Sequence, residues 1–375
     1  MRLAPNQGQG ENPHMVTIQV QNLINFVAEV FAHSESSPEE AKSIATYLTT
    51  ANLTGHDSHG VIRVPVYIRW KKMGSVVPNQ IAEVVVDTPS LAVVDGKFGY
   101  GQTVTPQAVK IGIEKCKKAG LSAVALRNAG HIGRVGDWAE MAAAEGLVSI
   151  HFVNAAGSLL VAPFGGVEKR LSTAPYCVGI PRVGQDPIVL DFATSIVAEG
   201  KVLVASRGGK KLPKGALIDA DGTLSEDPAV LYGPHTAEGP RDHTKGSGAI
   251  RAFGEHKGSG LAFICELLGG ALTGTGATSG DRRFANGMLA FYVDPKVIDT
   301  SNFFDGEISR YSDFIRATRP MAGVDAVLIP GDTERKTRVD RTRNGVPLPD
   351  DTWAAIVNTA REVGVSEVSI QKATA

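Results

Sequence analysis

The sequence predicts a protein of the α/β class, of the α+β type, in more than one domain. Three observations predict it. Apolar residues recur at helical spacing toward both ends of the chain, and runs of β-forming residues bounded by turn residues occupy the middle. At 375 residues the chain also exceeds what one hydrophobic core usually supports.

The first residues, MRLAPNQGQGENPH, show no periodicity and read as a flexible lead (1–14) ahead of the fold. Leu23, Ile24, Val27, Val30 and Phe31 then mark one face of a helix. Ser37 opens a second helix: Pro38 suits its first position, Glu40 completes a capping box, and Gly55 marks the stop. A third helical pattern runs from Gly60 to Met73, with Pro65 in its first turn. After the alternating stretch AEVVVDTPSLAVVDG, VTPQAVKIGIEKCKKAG reads as a helix ending at Gly120. LSAVALRN, AGHIGRVG, RVGDWAEMAAAEG and LVSIHFVN then follow as strand, turn, helix and strand. PIVLDFATS and NGMLAFYVDP are strands, HKGSGLAFICELLGGALTG a buried helix, and Ser309–Arg316 and Asp350–Val363 are helices.

Bulk composition excludes several function classes. A formal net charge of -1 with no long basic run leaves no electrostatic footprint for nucleic acid. No apolar stretch reaches spanning length and no signal-peptide pattern is present, so a cytoplasmic protein is expected. Cys116, Cys177 and Cys265 are odd in number and scattered, which suits a reducing compartment rather than a disulfide framework.

The stretch TGHDSHGVIRVPVY, Thr54 to Tyr67, concentrates reactive side chains. His56 and His59 have the spacing of a metal pair but need a third protein ligand, which His131 or Asp191 elsewhere in the chain could supply. A helix starting near Gly60 would instead set His59, Arg63 and Tyr67 on one face around a single ligand. The glycine turn Gly130 to Gly136 ends a strand and opens a helix, a place where free amides favour an anion; a plain βα loop accounts for it equally well. It is not G-x-G-x-x-G, and no such match follows a strand anywhere. Lys257 in FGEHKGSG, and the basic run Arg207 to Lys211, can pair with a phosphate or simply face solvent.

Taken together and in order, GHDSHGVIRVPVY, AGHIGRVGDWAE, VAPFGG, LDFATS and EHKGSGLAFICELLGGALTG resemble the malate/L-lactate dehydrogenase family, and IPGDTER and GVPLPDDTWAAI continue the likeness. The resemblance implies NAD or NADP as cofactor, held by a non-Rossmann domain with a largely antiparallel mixed sheet (119–304). It implies a helix-rich substrate and dimerisation domain from 15–118 and 305–375, and a homodimer. It carries catalytic roles onto His59, His131 and Asp191, with Asp191 near the catalytic histidine. Ser58, Arg63 and Tyr67 fall on substrate positions, and His59, Gly133, Arg134, Val135, Asp191 and Lys257 on cofactor positions. STAPYCVG and NAAGSLL depart from the family wording.

The expected reaction is hydride transfer between nicotinamide and C2 of a 2-oxo acid/2-hydroxy acid pair, with His59 slightly favoured over His131 as the acid/base because Asp191 can orient it. No metal is expected. Rival readings are a cyclic imino acid reductase, a ureidoglycolate-type dehydrogenase, a His-liganded metal hydrolase, and a protein that binds the nucleotide without catalysis.

Overall fold

The structure is a computed structural model that describes residues 15–206, 211–235 and 241–374. The N-terminal lead and Arg207 to Lys210 of the basic run lie outside these residues.

A helical body unites the two ends of the chain. Strand β1 (Met15–Ile18) pairs antiparallel with β13 (Val346–Pro349). Around this ribbon pack α1 (Val20–Ala32), α2 (Pro38–Leu53), α3 (Val64–Lys72), α12 (Asp350–Glu362) and α13 (Glu367–Ala373). The apolar face of α1 buries Leu23, Val27, Val30 and Phe31 against Ile44 and Leu48 of α2 and Ile356 of α12. Ser37 caps α2 by accepting the Glu40 amide at 3.2 Å. The expected reciprocal half of the box is replaced: Asn79 Oδ1 takes the Ser37 amide at 2.7 Å, and the Glu40 carboxylate accepts the Asn79 amide at 2.8 Å.

The second body is a seven-stranded sheet in the order β2 (Glu83–Asp87), β3 (Leu91–Asp95), β4 (Leu121–Ala129), β12 (Ala285–Val293), β5 (Val148–Ala156), β7 (Tyr176–Ile180), β8 (Ile188–Phe192). All neighbours are antiparallel except β3 with β4. Strands β4 and β5, joined by α5 (Gly136–Ala144), are separated in the sheet by β12. The helix α4 (Gly101–Ala119) packs its buried Val104, Ala108 and Val109 over this sheet. Residues 83–118, expected in the helix-rich domain, contribute β2, β3 and nearly all of α4 to the layers around the sheet. Their alternating pattern was that of a half-covered antiparallel hairpin.

A third core lies around a small sheet of β6 (Val161–Ala162), β9 (Leu217–Ile218), β10 (Leu224–Ser225) and β11 (Ala249–Arg251), with α6 (Glu199–Ser206), α7 (Ala229–Tyr232) and α8 (His256–Cys265), the last continuing into a wide turn over Glu266–Ala271. The short α9 (Pro295–Ile298) and the longer α10 (Phe303–Arg316) and α11 (Asp332–Asn344) lead back to the helical body. Among the described residues no helix is long and apolar enough to cross a membrane.

Candidate active site

The helix expected from Gly60 is broken. Two single turns, Asp57–His59 and Val61–Arg63, precede α3, and Gly60 between them is extended (φ -86°, ψ -154°). A buried side chain causes the break. Asn52, at the end of α2, accepts the Val61 amide at 2.8 Å and donates to Asp57 at 2.6 Å, and any Cβ on Gly60 would overlap its carboxamide. Asp57 also pairs with Arg341 of α11 at 2.6 Å. These contacts set the direction of His59, although the three side chains no longer lie along one continuous helix.

Arg63 is held by its Nε, which donates to the Ser58 carbonyl at 2.6 Å. Among the described residues its two terminal nitrogens have no hydrogen-bond partner, so the outer fork is available to a planar anion. Ser58 Oγ meets Nδ1 of His59 at 3.0 Å. The His59 ring lies parallel to that of His131, with centroids 5.4 Å apart and an interplanar angle of 17°.

His131 stands on the loop after β4, and Tyr67 of α3 reaches it. The tyrosine hydroxyl lies 2.6 Å from Nδ1 and donates to the His131 carbonyl at 3.3 Å, while Gln102 Nε2 of α4 donates to the same hydroxyl at 3.0 Å. Tyr67 and Gln102 are both fully buried. Gln102 was not singled out in the sequence, where a glutamine inside a helical pattern carries no signal. Asn52 escaped for the same reason.

Electrostatics keep both imidazoles neutral. Burial lowers His131 from the usual 6.5 to about 3, with the Arg63 charge acting in the same direction. His59 also falls well below the usual value, through burial first, then His131 and Arg63.

Asp191 departs from its expected part. It was to orient a histidine, yet its Oδ2 accepts the Gly136 amide at 2.7 Å, the first amide of α5, and the Nδ1 partner of His59 is Ser58 instead. The anion that the glycine turn attracts at its helix end is therefore the chain's own carboxylate. Before it, the amides of Gly133, Arg134 and Val135 have no partner among the described residues. Gly133 reaches this path with φ +72°, a conformation open to glycine. Three consecutive unpaired amides fit the anionic or amide groups of a nicotinamide dinucleotide. The Arg134 side chain is engaged elsewhere: it is 3% exposed and ion-paired to Asp137 at 2.7 Å and Glu140 at 2.8 Å. Only its backbone remains for a cofactor. Lys257 is exposed in the first turn of α8, four residues after Phe253, whose ring packs on Phe192 beside Asp191 at 5.3 Å.

The metal reading finds no ligand set. His56 contacts Glu334 of α11 at 3.3 Å, and among the described residues no group of three His, Cys, Asp or Glu side chains is arranged to hold an ion. The three cysteines are free and buried.

The Arg63 fork and two neutral imidazoles meet where the helical body packs on the largely antiparallel sheet, and the free amides of the glycine turn follow His131 directly. The family model described as malate/L-lactate dehydrogenase matches residues 18–357. Hydroxycarboxylate dehydrogenase B of Escherichia coli is 38% identical over 358 residues, covering 94% of this chain and 95% of that protein. L-sulfolactate dehydrogenase of Methanocaldococcus jannaschii is 31% identical over 93% of this chain and 98% of its own length. Among solved structures, malate dehydrogenase from Pyrococcus horikoshii superposes with a TM-score of 0.82 at 26% identity, covering 95% of this chain and 99% of that chain. The chain belongs to the malate/L-lactate dehydrogenase family. It is an enzyme, a nicotinamide-dependent hydroxy acid oxidoreductase.

Proposed function

We propose that the enzyme interconverts a 2-oxo acid and its 2-hydroxy acid at C2, with His131 as the group that moves the proton. The observation that carries this reading is the Tyr67 hydroxyl 2.6 Å from His131 Nδ1.

A bound reduced nicotinamide supplies the hydride. The protein's own task is to orient the acid and to handle one proton. The free fork of Arg63 takes the substrate carboxylate, with Ser58 and Tyr67 close by. Tyr67 fixes the useful tautomer of His131. With Nδ1–H donating to the tyrosine oxygen, and the tyrosine proton turned to the His131 carbonyl, the Tyr67 hydroxyl has a partner for its proton and for both lone pairs. Nε2 is then left to accept the hydroxyl proton in oxidation, and the resulting imidazolium keeps the same bonds. In reduction the proton returns from Nε2 to the developing alkoxide.

Arg63 also sets when this happens. Its charge helps to hold His131 neutral in the free enzyme, and a substrate carboxylate on its fork offsets that charge. Binding the acid thus raises the proton affinity of the imidazole beside it. His59, stacked parallel to His131 and bonded to Ser58, frames the reacting face in this scheme rather than moving the proton. The free amides of Gly133, Arg134 and Val135, with Lys257, belong to the cofactor's side of the site.

A homodimer working in the cytoplasm accompanies this reading. Its support is two exposed apolar surfaces, Phe263, Leu267 and Leu272 in and after α8, and Phe303, Tyr311 and Phe314 along α10. Sedimentation analysis of the purified protein at about twice the monomer mass is the expected result; a monomer removes the dimer. The activity itself is tested by following NADH and NADPH oxidation against small, aromatic and dicarboxylic 2-oxo acids and a cyclic 2-imino acid. Turnover of a 2-oxo acid is expected, and turnover of the cyclic imine alone contradicts the reading.

A further inference from the structure

Beside His131 stand two rings that the chemistry above does not use. Trp70 of α3 and Phe284, the residue before β12, stack with centroids 4.7 Å apart and an angle of 27°. Each ring centre lies 6.4 Å from that of His131, and Trp70 also stacks on Tyr67 at 5.6 Å. Both rings are half-buried, so each keeps part of its surface open.

The pair is held in place. Arg283, next to Phe284, donates to the Gly74 carbonyl at 2.7 Å and the Ser75 carbonyl at 2.9 Å just past α3, and its guanidinium lies 3.6 Å from the centre of the Phe98 ring. The loop carrying Phe284 is thereby tied to the helix carrying Trp70. These contacts turn the Arg283 guanidinium toward the end of α3 and the Phe98 ring, without a carboxylate among the described residues to neutralise it.

Charge around the site is one-sided. Arg63 is the cation that acts on both His131 and His59, and the Arg134 guanidinium is neutralised by Asp137 and Glu140. One fork serves one carboxylate. A substrate with a second anion on C3 would set it against the aromatic rings, with its hydration lost and the nearby Arg283 donors already engaged by the Gly74 and Ser75 carbonyls. An apolar ring in that place would instead bury carbon surface against carbon and gain ring contacts.

We propose that Trp70 and Phe284 are specificity-determining residues that form the wall for the substrate's side chain, selecting 2-oxo and 2-hydroxy monocarboxylic acids with an aryl-bearing C3. This rests on the hydroxy acid reading and narrows its substrate class. The test measures kcat/KM, with NADH and with NADPH, for three 2-oxo acids sharing one reacting group: methyl (pyruvate), benzyl (phenylpyruvate) and carboxymethyl (oxaloacetate) side chains. The wild-type enzyme is expected to prefer the benzyl acid over both others by about tenfold or more. Trp70→Ala, and Phe284→Ala separately, should shrink the benzyl-to-methyl ratio by about tenfold, and Phe284→Leu should shrink it less. Because damage to the fold lowers all three substrates together, the ratio reads the wall alone.

A wild-type preference for oxaloacetate, or a ratio unmoved in both alanine variants, overturns the assignment while leaving the oxidoreductase reading intact. Absence of turnover of every acid with either cofactor overturns that reading itself and this assignment with it.

Discussion

The hydroxyl of Tyr67 lies 2.6 Å from Nδ1 of His131, although the two residues come from different bodies of the fold, a helix of the first and a loop of the sheet. That bond fixes a histidine whose surroundings keep it neutral. Tyr67→Phe removes the bond but keeps the ring packing on Phe31 and Trp70. We expect kcat to fall about tenfold, the scale typical of partners that orient a working group, with thermal stability changed much less. Steady-state kinetics and a melting curve on the same preparation check this.

Arg63→Ala should act mainly on binding. Losing a charge-assisted bidentate pair to a carboxylate is worth about 1.5–3 kcal/mol, so kcat/KM for the acid should drop about 10- to 100-fold, mostly through KM. Unchanged kinetics would take Arg63 out of the carboxylate site.

The pH dependence has a definite sign. A base held at about 3 in the free enzyme is neutral across the ordinary working range. The kcat/KM profile for oxidation of a hydroxy acid reports the free enzyme, so it should show no histidine inflection near ~6.5 and lose activity only at more acid pH. An acid limb centred at 6 to 7 would contradict a neutral, buried His131.

Stability carries a related signature. His151 of β5 is fully buried, with Nε2 3.0 Å from Ser149 Oγ, and burial lowers it to about 3. The unfolded chain, with its histidine near ~6.5, binds the proton first as pH falls. The contribution is therefore whole above 6.5 and lost progressively toward 3. His151→Gln should flatten the fall in urea midpoint between pH 6.5 and 4 relative to the wild type, and parallel curves would refute the assignment.

Gly60 and Asn52 test the hinge under His59. Asn52→Ala leaves the buried Val61 amide without its acceptor, which costs about 1–3 kcal/mol. Gly60→Ala forces the Asn52 side chain out and should cost a comparable amount. Urea denaturation measures both.

Much of this was legible in the sequence because it rests on local signals. Ser37 and Pro38 announced the start of α2, Gly120 the end of α4, and the strands before the HIGRVG turn and after α5 were marked by their composition. The motifs around His59 and His131 identified the chemistry. What was hidden depends on contacts distant in sequence. The break at Gly60 is imposed by Asn52, eight positions earlier and indistinguishable in one dimension from an exposed asparagine. Asp191 has the right chemistry to orient a histidine, but only the pairing of β7 with β8 determines that its carboxylate meets the start of α5. The insertion of β12 between β4 and β5 brings a strand from more than a hundred residues away, and no local pattern encodes such a partner.

The central claim is that His131, rather than His59, moves the proton, and kcat of His131→Ala set beside kcat of His59→Ala tests it most directly. With the preferred 2-oxo acid at saturation, His131→Ala should lose roughly 10²- to 10⁴-fold, the usual worth of a positioned acid/base group, and His59→Ala clearly less. A His59→Ala loss of that size beside a nearly intact His131→Ala enzyme would contradict the account.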